Sequence, residues 1–91
     1  MKYTIQRTSS FKKDYKLVKK RGYAIQKLAV VITLLADGQT LPAVYSDHAL
    51  TGNWNGYREC HIEPDWLLVY KMIDDKLILS LTRTGTHSDI F

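Results

Sequence analysis

Cysteine is nearly absent from this sequence, which holds Cys60 alone among 91 residues. A single cysteine cannot form a disulfide within the chain, as expected of a protein in the reducing cytoplasm. Long apolar runs are also absent: the longest, residues 28–36, is interrupted by Thr33 and is far shorter than the about 20 residues of a membrane span. The first residues show no apolar signal-peptide stretch. We therefore expect a cytoplasmic protein that makes no contact with membranes.

Repeats, low-complexity tracts and linkers are missing as well. The chain is 45% hydrophobic and 24% charged, proportions that are usual for a folded globular protein and exclude a disordered one. A chain of 91 residues leaves no room for a second hydrophobic core. Residues 1–91 are therefore predicted to form one domain.

Negative charge is scarce in the first 21 residues, which hold eight basic residues and one acidic residue, Asp14. The remaining 70 residues hold five basic and eight acidic residues. This asymmetry is compatible with a polyanionic partner bound through one face. A solvated lysine-rich helix has the same composition and, on charge alone, is the more frequent explanation.

The first 22 residues predict a strand followed by a helix. Residues 2–7 alternate between apolar and polar side chains, as a short strand does. Ser9 or Ser10 can cap the next helix, because a serine hydroxyl accepts a hydrogen bond from a free backbone N–H. Apolar residues then recur at helical spacing until Gly22, which supplies a left-handed stop.

A second helix is predicted after a short connection, and Gly38 ends it. Its broad apolar stripe comprises Ile25, Leu28, Ala29, Ile32 and Leu35, with Val31 adjoining. Two helices joined at a glycine predict an antiparallel hairpin, and a flat apolar surface must cover it.

Three strands are predicted after residue 54. They run over residues 57–62, over residues 66–72 and along Leu77, Leu79 and Leu81. Short turns between them predict an antiparallel meander. The expected fold is therefore α+β: a strand, a two-helix hairpin and a three-stranded meander, with the helices packed on one side of the sheet. The long connection over residues 39–55 suggests a functional loop.

The alternation of the first of these strands divides its side chains between two faces. Tyr57, Glu59 and His61 share one face by the period of two. We expect the helices to cover the other face, which carries Cys60 and Ile62. The first three side chains would then lie on the open side of the sheet.

Three histidines are candidates for acid–base chemistry. His48 lies in the long loop, His61 near a strand end and His87 beyond the last strand. Because imidazole has an ordinary pKa of about 6.5, one ring can accept a proton while another donates one. With Asp65 to orient a ring and Arg83 to balance charge on a phosphorane-like transition state, these groups suit RNA cleavage by the substrate's own 2′-hydroxyl. Histidines that merely decorate the surface explain the residues equally well.

A metal site has weak support in the sequence. The candidate zinc ligands are His48, His61 and His87 with Asp65 or Glu63. No His-x-x-x-His or Cys-x-x-Cys spacing brings them together, so no metal and no cofactor is expected. Cys60 also has weak support as a nucleophile, since no basic microenvironment is evident from the sequence.

Three segments together carry a resemblance that none of them carries alone. They are Asp-His-Ala-Leu-Thr-Gly at 47–52, Gly-Tyr-Arg-Glu-Cys-His-Ile-Glu-Pro-Asp-Trp at 56–66 and Arg-Thr-Gly-Thr-His-Ser-Asp-Ile-Phe at 83–91. With the helical hairpin and residues 41–45, they resemble the YafQ branch of the RelE/ParE toxin superfamily over nearly the whole chain. The resemblance implies a RelE-like fold. It also implies a ribosome-dependent endoribonuclease that cuts mRNA in the ribosomal A site without a metal.

The resemblance further implies the partners and the site. A co-encoded antitoxin would neutralise the toxin, and operator DNA would be contacted only through the antitoxin complex. The implied catalytic residues are His48, His61, Asp65, Arg83, His87 and Phe91. The basic residues that would contact RNA or the ribosome are Lys12, Lys13, Lys16, Lys19, Lys20 and Arg21.

The roles within this set are hypotheses. His87 would protonate the leaving 5′-oxygen, and His48 or His61, oriented by Asp65, would accept the proton of the 2′-hydroxyl. Phe91 would stack on a base or, equally, plug the sheet. Glu59 would support the site without being catalytic, and Trp66 would belong to the core or border the RNA.

Two other functions remain open at this point. ParE-like members of the superfamily block DNA gyrase without RNA chemistry, although binding alone gives no reason for three histidines around one cleft. A basic nucleic-acid-binding module would bind free nucleic acid in a salt-dependent manner and would not need His87.

Overall fold

A five-stranded sheet forms the centre of the computed structural model, which describes residues 1–91. Its strands are β1 (Thr4–Arg7), β2 (His48–Ala49), β3 (Arg58–Glu63), β4 (Trp66–Ile73) and β5 (Ile78–Gly85). The spatial order is β1-β5-β4-β3-β2; β1 runs parallel to β5, and the other neighbours are antiparallel. The predicted α+β class and the meander β3–β5 are confirmed. The prediction of four strands was wrong, because the two-residue β2 is too short to show a periodicity.

Three helices accompany the sheet: α1 (Ser9–Lys20), α2 (Ile25–Ala36) and the single turn α3 (His87–Ile90). α1 packs on β5, and α2 packs against β3. Gly22 and Gly38 follow the two long helices with φ of +83° and +76°, so both predicted glycine stops are confirmed. None of the helices has the length and apolar character needed to cross a bilayer.

The start of α1 differs from the prediction. Thr8, rather than Ser9 or Ser10, is the N-cap: its Oγ1 accepts a hydrogen bond from the N–H of Phe11 at 3.0 Å. The same hydroxyl donates to the carbonyl of Thr82 at 2.8 Å. Thr8 is preferred because its hydroxyl caps the helix and ties it to β5 at the same time, which a sequence pattern cannot show.

The hydrophobic core lies between the sheet and the two long helices. The buried residues of the sheet that form it are Cys60, Ile62, Trp66, Leu68, Tyr70, Leu79 and Leu81. The predicted inward facing of Cys60 and Ile62 is therefore confirmed. Trp66 is 2% exposed and donates its indole N–H to Oγ1 of Thr84, so it is a core residue and does not border an RNA site.

Two predicted core positions were wrong. Ala29 of the expected α2 stripe is exposed, whereas Val31, expected to adjoin that stripe, is buried. Leu77 lies before β5 in a left-handed turn (φ +52°) and is exposed, because the chain reverses there after the short helical turn at 74–76.

A register irregularity in β5 determines where its second half lies. Tyr70 pairs with Leu81 and Val69 pairs with Arg83, so Thr82 is an extra residue and Leu81 and Arg83 no longer share a face. Simple alternation would place Leu81 and Arg83 on one face of the strand, and the extra residue is the reason that they lie on opposite faces.

Candidate active site

The three histidines meet at one end of the sheet. β2 pairs with β3 so that His48 lies opposite Glu59, and His61 follows two residues further along β3. α3 brings His87 to the same place. The ring centroids of His48 and His61 are 6.4 Å apart, and those of His61 and His87 are 5.7 Å apart. A loop, a strand and the segment after β5 thus contribute to one cluster.

Two of the imidazoles are oriented by main-chain carbonyl groups. Nδ1 of His48 lies 2.7 Å from the carbonyl oxygen of Ser46, and Nδ1 of His61 lies 3.2 Å from that of Pro64. A carbonyl oxygen can only accept a hydrogen bond, so Nδ1 carries a proton in both rings. In both rings Nε2 is therefore the nitrogen that can take up or give up a proton.

Glu59 lies between the Nε2 atoms of these two rings. Its Oε1 is 3.3 Å from Nε2 of His61 and 3.7 Å from Nε2 of His48. The residue is only 5% exposed, which is rare for a carboxylate without a partner. Glu59 therefore lies at the centre of the cluster, which is a more central position than expected of a supporting residue.

His87 has a different partner, Asp65. Oδ1 of Asp65 accepts hydrogen bonds from the backbone N–H of His87 at 3.0 Å and from its Nδ1 at 2.6 Å. These bonds, the backbone one first, lower the pKa of Asp65 below its ordinary value. The expectation that Asp65 orients His48 or His61 was wrong, because α3 folds over the turn that carries Asp65.

The loop that carries His48 is fixed to the sheet by Asp47. The carboxylate of Asp47 accepts hydrogen bonds from the hydroxyl of Tyr70 at 2.5 Å and from Nη2 of Arg58 at 3.1 Å. Burial raises the pKa of Tyr70 above its ordinary value, so it remains a hydroxyl donor at any physiological pH. This contact holds His48 in place although its own side chain is half exposed.

α3 is a single turn that a capping box stabilises. The N–H of Asp89 donates to Oγ1 of Thr86 at 3.2 Å, and the N–H of Thr86 donates to Oδ2 of Asp89 at 2.9 Å. Gly85 precedes this box with φ of +151°, and a Cβ there would lie 2.8 Å from Oδ2 of Asp89. Only glycine fits this position without moving the box.

Four charged residues attach α3 to the rest of the molecule, and we call them the tail clamp: Asp14, Arg21, Arg83 and Asp89. Arg21 donates to both carboxylate oxygens of Asp89, at 2.7 and 3.3 Å. Arg83 donates to both carboxylate oxygens of Asp14, at 2.6 and 3.2 Å, and to the carbonyl of Asp89 at 3.2 Å. The hydrogen bond from Arg21 is the main reason that the pKa of Asp89 lies well below its ordinary value.

The tail clamp changes the interpretation of two predicted site residues. Arg83 reaches α3, but its hydrogen bonds go to Asp14 and Asp89 and none goes to the histidines. Arg21 pairs with Asp89, whereas the five lysines of α1 are exposed; they are Lys12, Lys13, Lys16, Lys19 and Lys20.

The segment over residues 3–91 matches the family described as bacterial toxin of type II toxin–antitoxin system, YafQ. The chain belongs to the YafQ family. It is 47% identical over 88 residues to the mRNA interferase toxin YafQ of Escherichia coli strain K12, an alignment that covers 96% of this chain and 94% of the relative.

Solved structures agree with this membership. YafQ in the crystal structure of the Escherichia coli DinJ–YafQ complex is 46% identical, with a TM-score of 0.90 over 98% of each chain. A metal-bound toxin from Helicobacter pylori is 40% identical, with a TM-score of 0.92 over 98% of this chain and 99% of the other. The YafQ-like fold that the motifs implied is thus confirmed.

Three groups of this YafQ-family toxin are close enough to hold a metal ion. Glu59, His61 and His87 each offer one ligand atom, and these atoms lie within 4.8 Å of one another. Imidazole and carboxylate ligands suit zinc or copper. This set differs from the one considered for the sequence in two ways: Glu59 takes the place of Asp65 or Glu63, and His48 is not part of it.

Cys60 is excluded from the chemistry of the site. Its side chain is fully buried, and this burial raises the pKa of the thiol to about 12. A thiol in such surroundings stays protonated and is not a nucleophile.

Sequence reasoning underrated Glu59 and missed Asp14 and Asp89. Glu59 shares a face with His61 by simple alternation, which was visible, but its burial depends on the pairing of β2 with β3. Asp14 gave no local signal, since its partner Arg83 lies 69 residues away. The Thr-x-x-Asp spacing of Thr86 and Asp89 is a local capping signal, but it does not show the ion pair with Arg21, 68 residues away.

Proposed function

We propose that this toxin is an endoribonuclease that cuts mRNA in the ribosomal A site and that a cognate antitoxin neutralises it. The Escherichia coli relative is named an mRNA interferase, and YafQ of that species has been crystallised in a complex with DinJ. The observation that carries the proposal is the cluster of three imidazoles around two carboxylates, with Nδ1 of every ring engaged.

The 2′-hydroxyl of the messenger is the nucleophile in this reaction. One of the two imidazoles beside Glu59, that of His48 or His61, removes its proton at Nε2. The 2′-oxygen then attacks the adjacent phosphorus and the bond to the 5′-oxygen breaks, leaving a 2′,3′-cyclic phosphate. His87 donates the proton that the 5′-oxygen needs to leave.

Asp65 and Glu59 have separate duties in this scheme. Asp65 holds Nδ1 of His87, so that the proton to be transferred sits on Nε2. Glu59 faces the Nε2 atoms of His48 and His61 and stabilises positive charge on the ring that accepts the proton. Two carboxylates thus serve the donor and the acceptor separately.

The remaining site residues serve binding and support. Phe91, which is 55% exposed, is available to stack on a base. The five exposed lysines of α1 contact phosphates of ribosomal RNA, which position the toxin without reading sequence. Arg83 is already paired with Asp14, so we assign it to holding α3 rather than to contact with the phosphate. Arg21 is assigned to α3 for the same reason.

Cleavage on translating ribosomes tests this function. The wild-type protein, His87→Gln and the control Val30→Ala would be incubated with ribosomes, and the messenger mapped by primer extension. We expect codon-positioned cuts from the wild type and the control, and a loss of about hundredfold or more for His87→Gln, the usual contribution of a general acid. Val30 is an exposed residue of α2 that makes no contact with the histidines.

The outcomes separate the function from the roles of residues. If the wild-type protein produces no codon-positioned cuts, the proposed function is wrong. Undiminished cuts by His87→Gln would remove only the role of His87. Comparing His48→Gln with His61→Gln identifies the proton acceptor, since its loss removes one limb of the pH–rate profile.

A further inference from the structure

Three aromatic side chains stand apart from the hydrophobic core. Trp54, Tyr57 and Phe91 belong neither to the buried core nor to the partly buried residues packed against it, whereas Trp66 and Tyr70 are core residues. Each of the three remains partly or largely open to solvent. Large rings left at the surface forgo the free energy of burial, which points to a partner that covers them.

These three rings contact one another, and we call them the aromatic cluster. The ring centroid of Trp54 lies 5.4 Å from that of Tyr57 and 5.7 Å from that of Phe91. The planes meet at 83° and 76°, which is edge-to-face packing. Such packing restricts the orientation of the rings, so the exposed ring surfaces are preorganised for a ligand.

The aromatic cluster adjoins the histidines. The N–H of Phe91 donates to the carbonyl of His87 at 2.8 Å, so the two residues are one helical turn apart. Trp54 lies in the loop between β2 and β3, and Tyr57 is two positions before Glu59 on the same face of the chain. An RNA strand whose cleaved phosphate lies at the histidines therefore passes the aromatic cluster.

A cation completes the surface. Nζ of Lys71 lies 5.2 Å from the ring centroid of Tyr57. Lys71 also lies beside Gly56, where a Cβ would be 3.9 Å from its Nζ, an ordinary van der Waals distance. Aromatic rings beside a lysine are the combination that binds single-stranded nucleic acid, since the rings stack on bases and the ammonium group pairs with phosphate.

We propose that the aromatic cluster is a subsite for an unstacked nucleobase next to the cleaved phosphodiester bond, with Lys71 on the adjoining phosphate. This inference rests on the proposed function, because it states where the messenger lies. Every base has a face that can stack, so the subsite binds without strict sequence preference. An apolar peptide of the antitoxin would leave the Lys71 ammonium group without a partner, and RNA is therefore favoured.

Single-turnover cleavage on programmed ribosomes, at varied toxin concentration, tests the subsite. We expect Trp54→Ala to raise the concentration for half-maximal cleavage about tenfold, the usual effect of losing one base–ring contact. Trp54→Phe keeps a ring and should stay within about threefold of the wild type. Lys71→Gln should weaken binding at low salt and make it less salt-dependent. Val30→Ala is the control and should be unchanged.

Each result decides the matter. Wild-type kinetics in Trp54→Ala would overturn the subsite and leave the function intact. Equal losses in Trp54→Ala and Trp54→Phe, at unchanged melting temperature, would also overturn it, since stacking would not be the cause. Loss of antitoxin binding with normal cleavage would assign the cluster to the antitoxin. If Trp54→Ala does not fold, Lys71→Gln decides, because unchanged salt dependence contradicts the subsite. A wild type that cuts no messenger overturns the function and the subsite together.

Discussion

Asp65 and His87 are joined twice through a single oxygen atom. Oδ1 of Asp65 accepts the backbone N–H of His87 at 3.0 Å and its Nδ1 at 2.6 Å. The first bond fixes where α3 begins, and the second fixes which way the imidazole faces. Main chain and side chain of the proposed proton donor are thus held by one carboxylate.

Replacing Asp65 by asparagine should slow cleavage by about tenfold or more, because an amide lacks the charge that stabilises an imidazolium and can turn its NH₂ toward Nδ1. Single-turnover rates on ribosomes measure the effect. Asp75→Asn, which alters an exposed aspartate in the turn before β5, is the matched control. A wild-type rate in Asp65→Asn would show that the double contact has no part in catalysis.

Gly85→Ala should damage the site while leaving the core intact. A Cβ there would lie 2.8 Å from Oδ2 of Asp89, and φ of +151° is unfavourable for alanine. We expect a loss of about 1–2 kcal/mol in the free energy of unfolding and a larger relative loss of cleavage. Urea denaturation measures the free energy of unfolding, and single-turnover kinetics measures the rate of cleavage. Unaltered cleavage would mean that α3 tolerates displacement of its capping box.

The ion pair of Arg21 and Asp89 should make the stability of the folded protein depend on pH in the acidic range. The pKa of Asp89 is lowered in the folded protein, chiefly by Arg21, so its contribution is complete above the ordinary value of about 3.9 and is lost as the pH falls toward the lowered one. At pH 6 Asp89→Asn should melt about 3 °C below the wild type. The difference should shrink steadily as the pH falls from about 4 toward 2. A difference that does not change with pH would contradict this account.

Cys60 should be unreactive in the folded protein. Its thiol is fully buried and its pKa is raised to about 12 by that burial. Ellman's reagent should therefore modify it only in denaturant, and Cys60→Ala should keep wild-type cleavage. Rapid modification of the native protein, or loss of cleavage in a folded Cys60→Ala, would contradict the exclusion of the thiol.

Zinc should bind at the histidine cluster and inhibit cleavage, because it would occupy nitrogens that the proposed reaction needs for proton transfer. Glu59, His61 and His87 supply three ligand atoms within 4.8 Å of one another. Calorimetric titration should show affinity about tenfold weaker in Glu59→Gln than in Glu63→Gln, a control whose carboxylate pairs with Lys27 instead. Equal affinities would place the zinc elsewhere.

Most of the fold follows from local patterns in the sequence. β4 was recognisable as a central strand because residues 66–70 are apolar at successive positions, and all five are buried. The inward facing of Cys60 follows from the period of two of side chains along a strand. The end of α1 near Gly22 follows from the backbone preference of glycine. These features need no information from distant parts of the chain.

The parts that could not be predicted depend on contacts between distant residues. Thr8 is preferred as a cap because its hydroxyl also reaches Thr82 on β5. The candidate site shows the same limit. Its three histidines could be named from the sequence, but the burial of Glu59 and the pairing of Asp65 with His87 exist only once the sheet and α3 have assembled.

The position of β5 between β1 and β4 has a consequence for biosynthesis. Contacts of the N-terminal segment, such as those of Tyr3 with Asp74, Thr8 with Thr82 and Asp14 with Arg83, join residues 69 to 74 positions apart. Chains fold from the N-terminus as they are made, and pairings this distant form late. A nascent toxin therefore has no assembled histidine site while its last strand is still unmade.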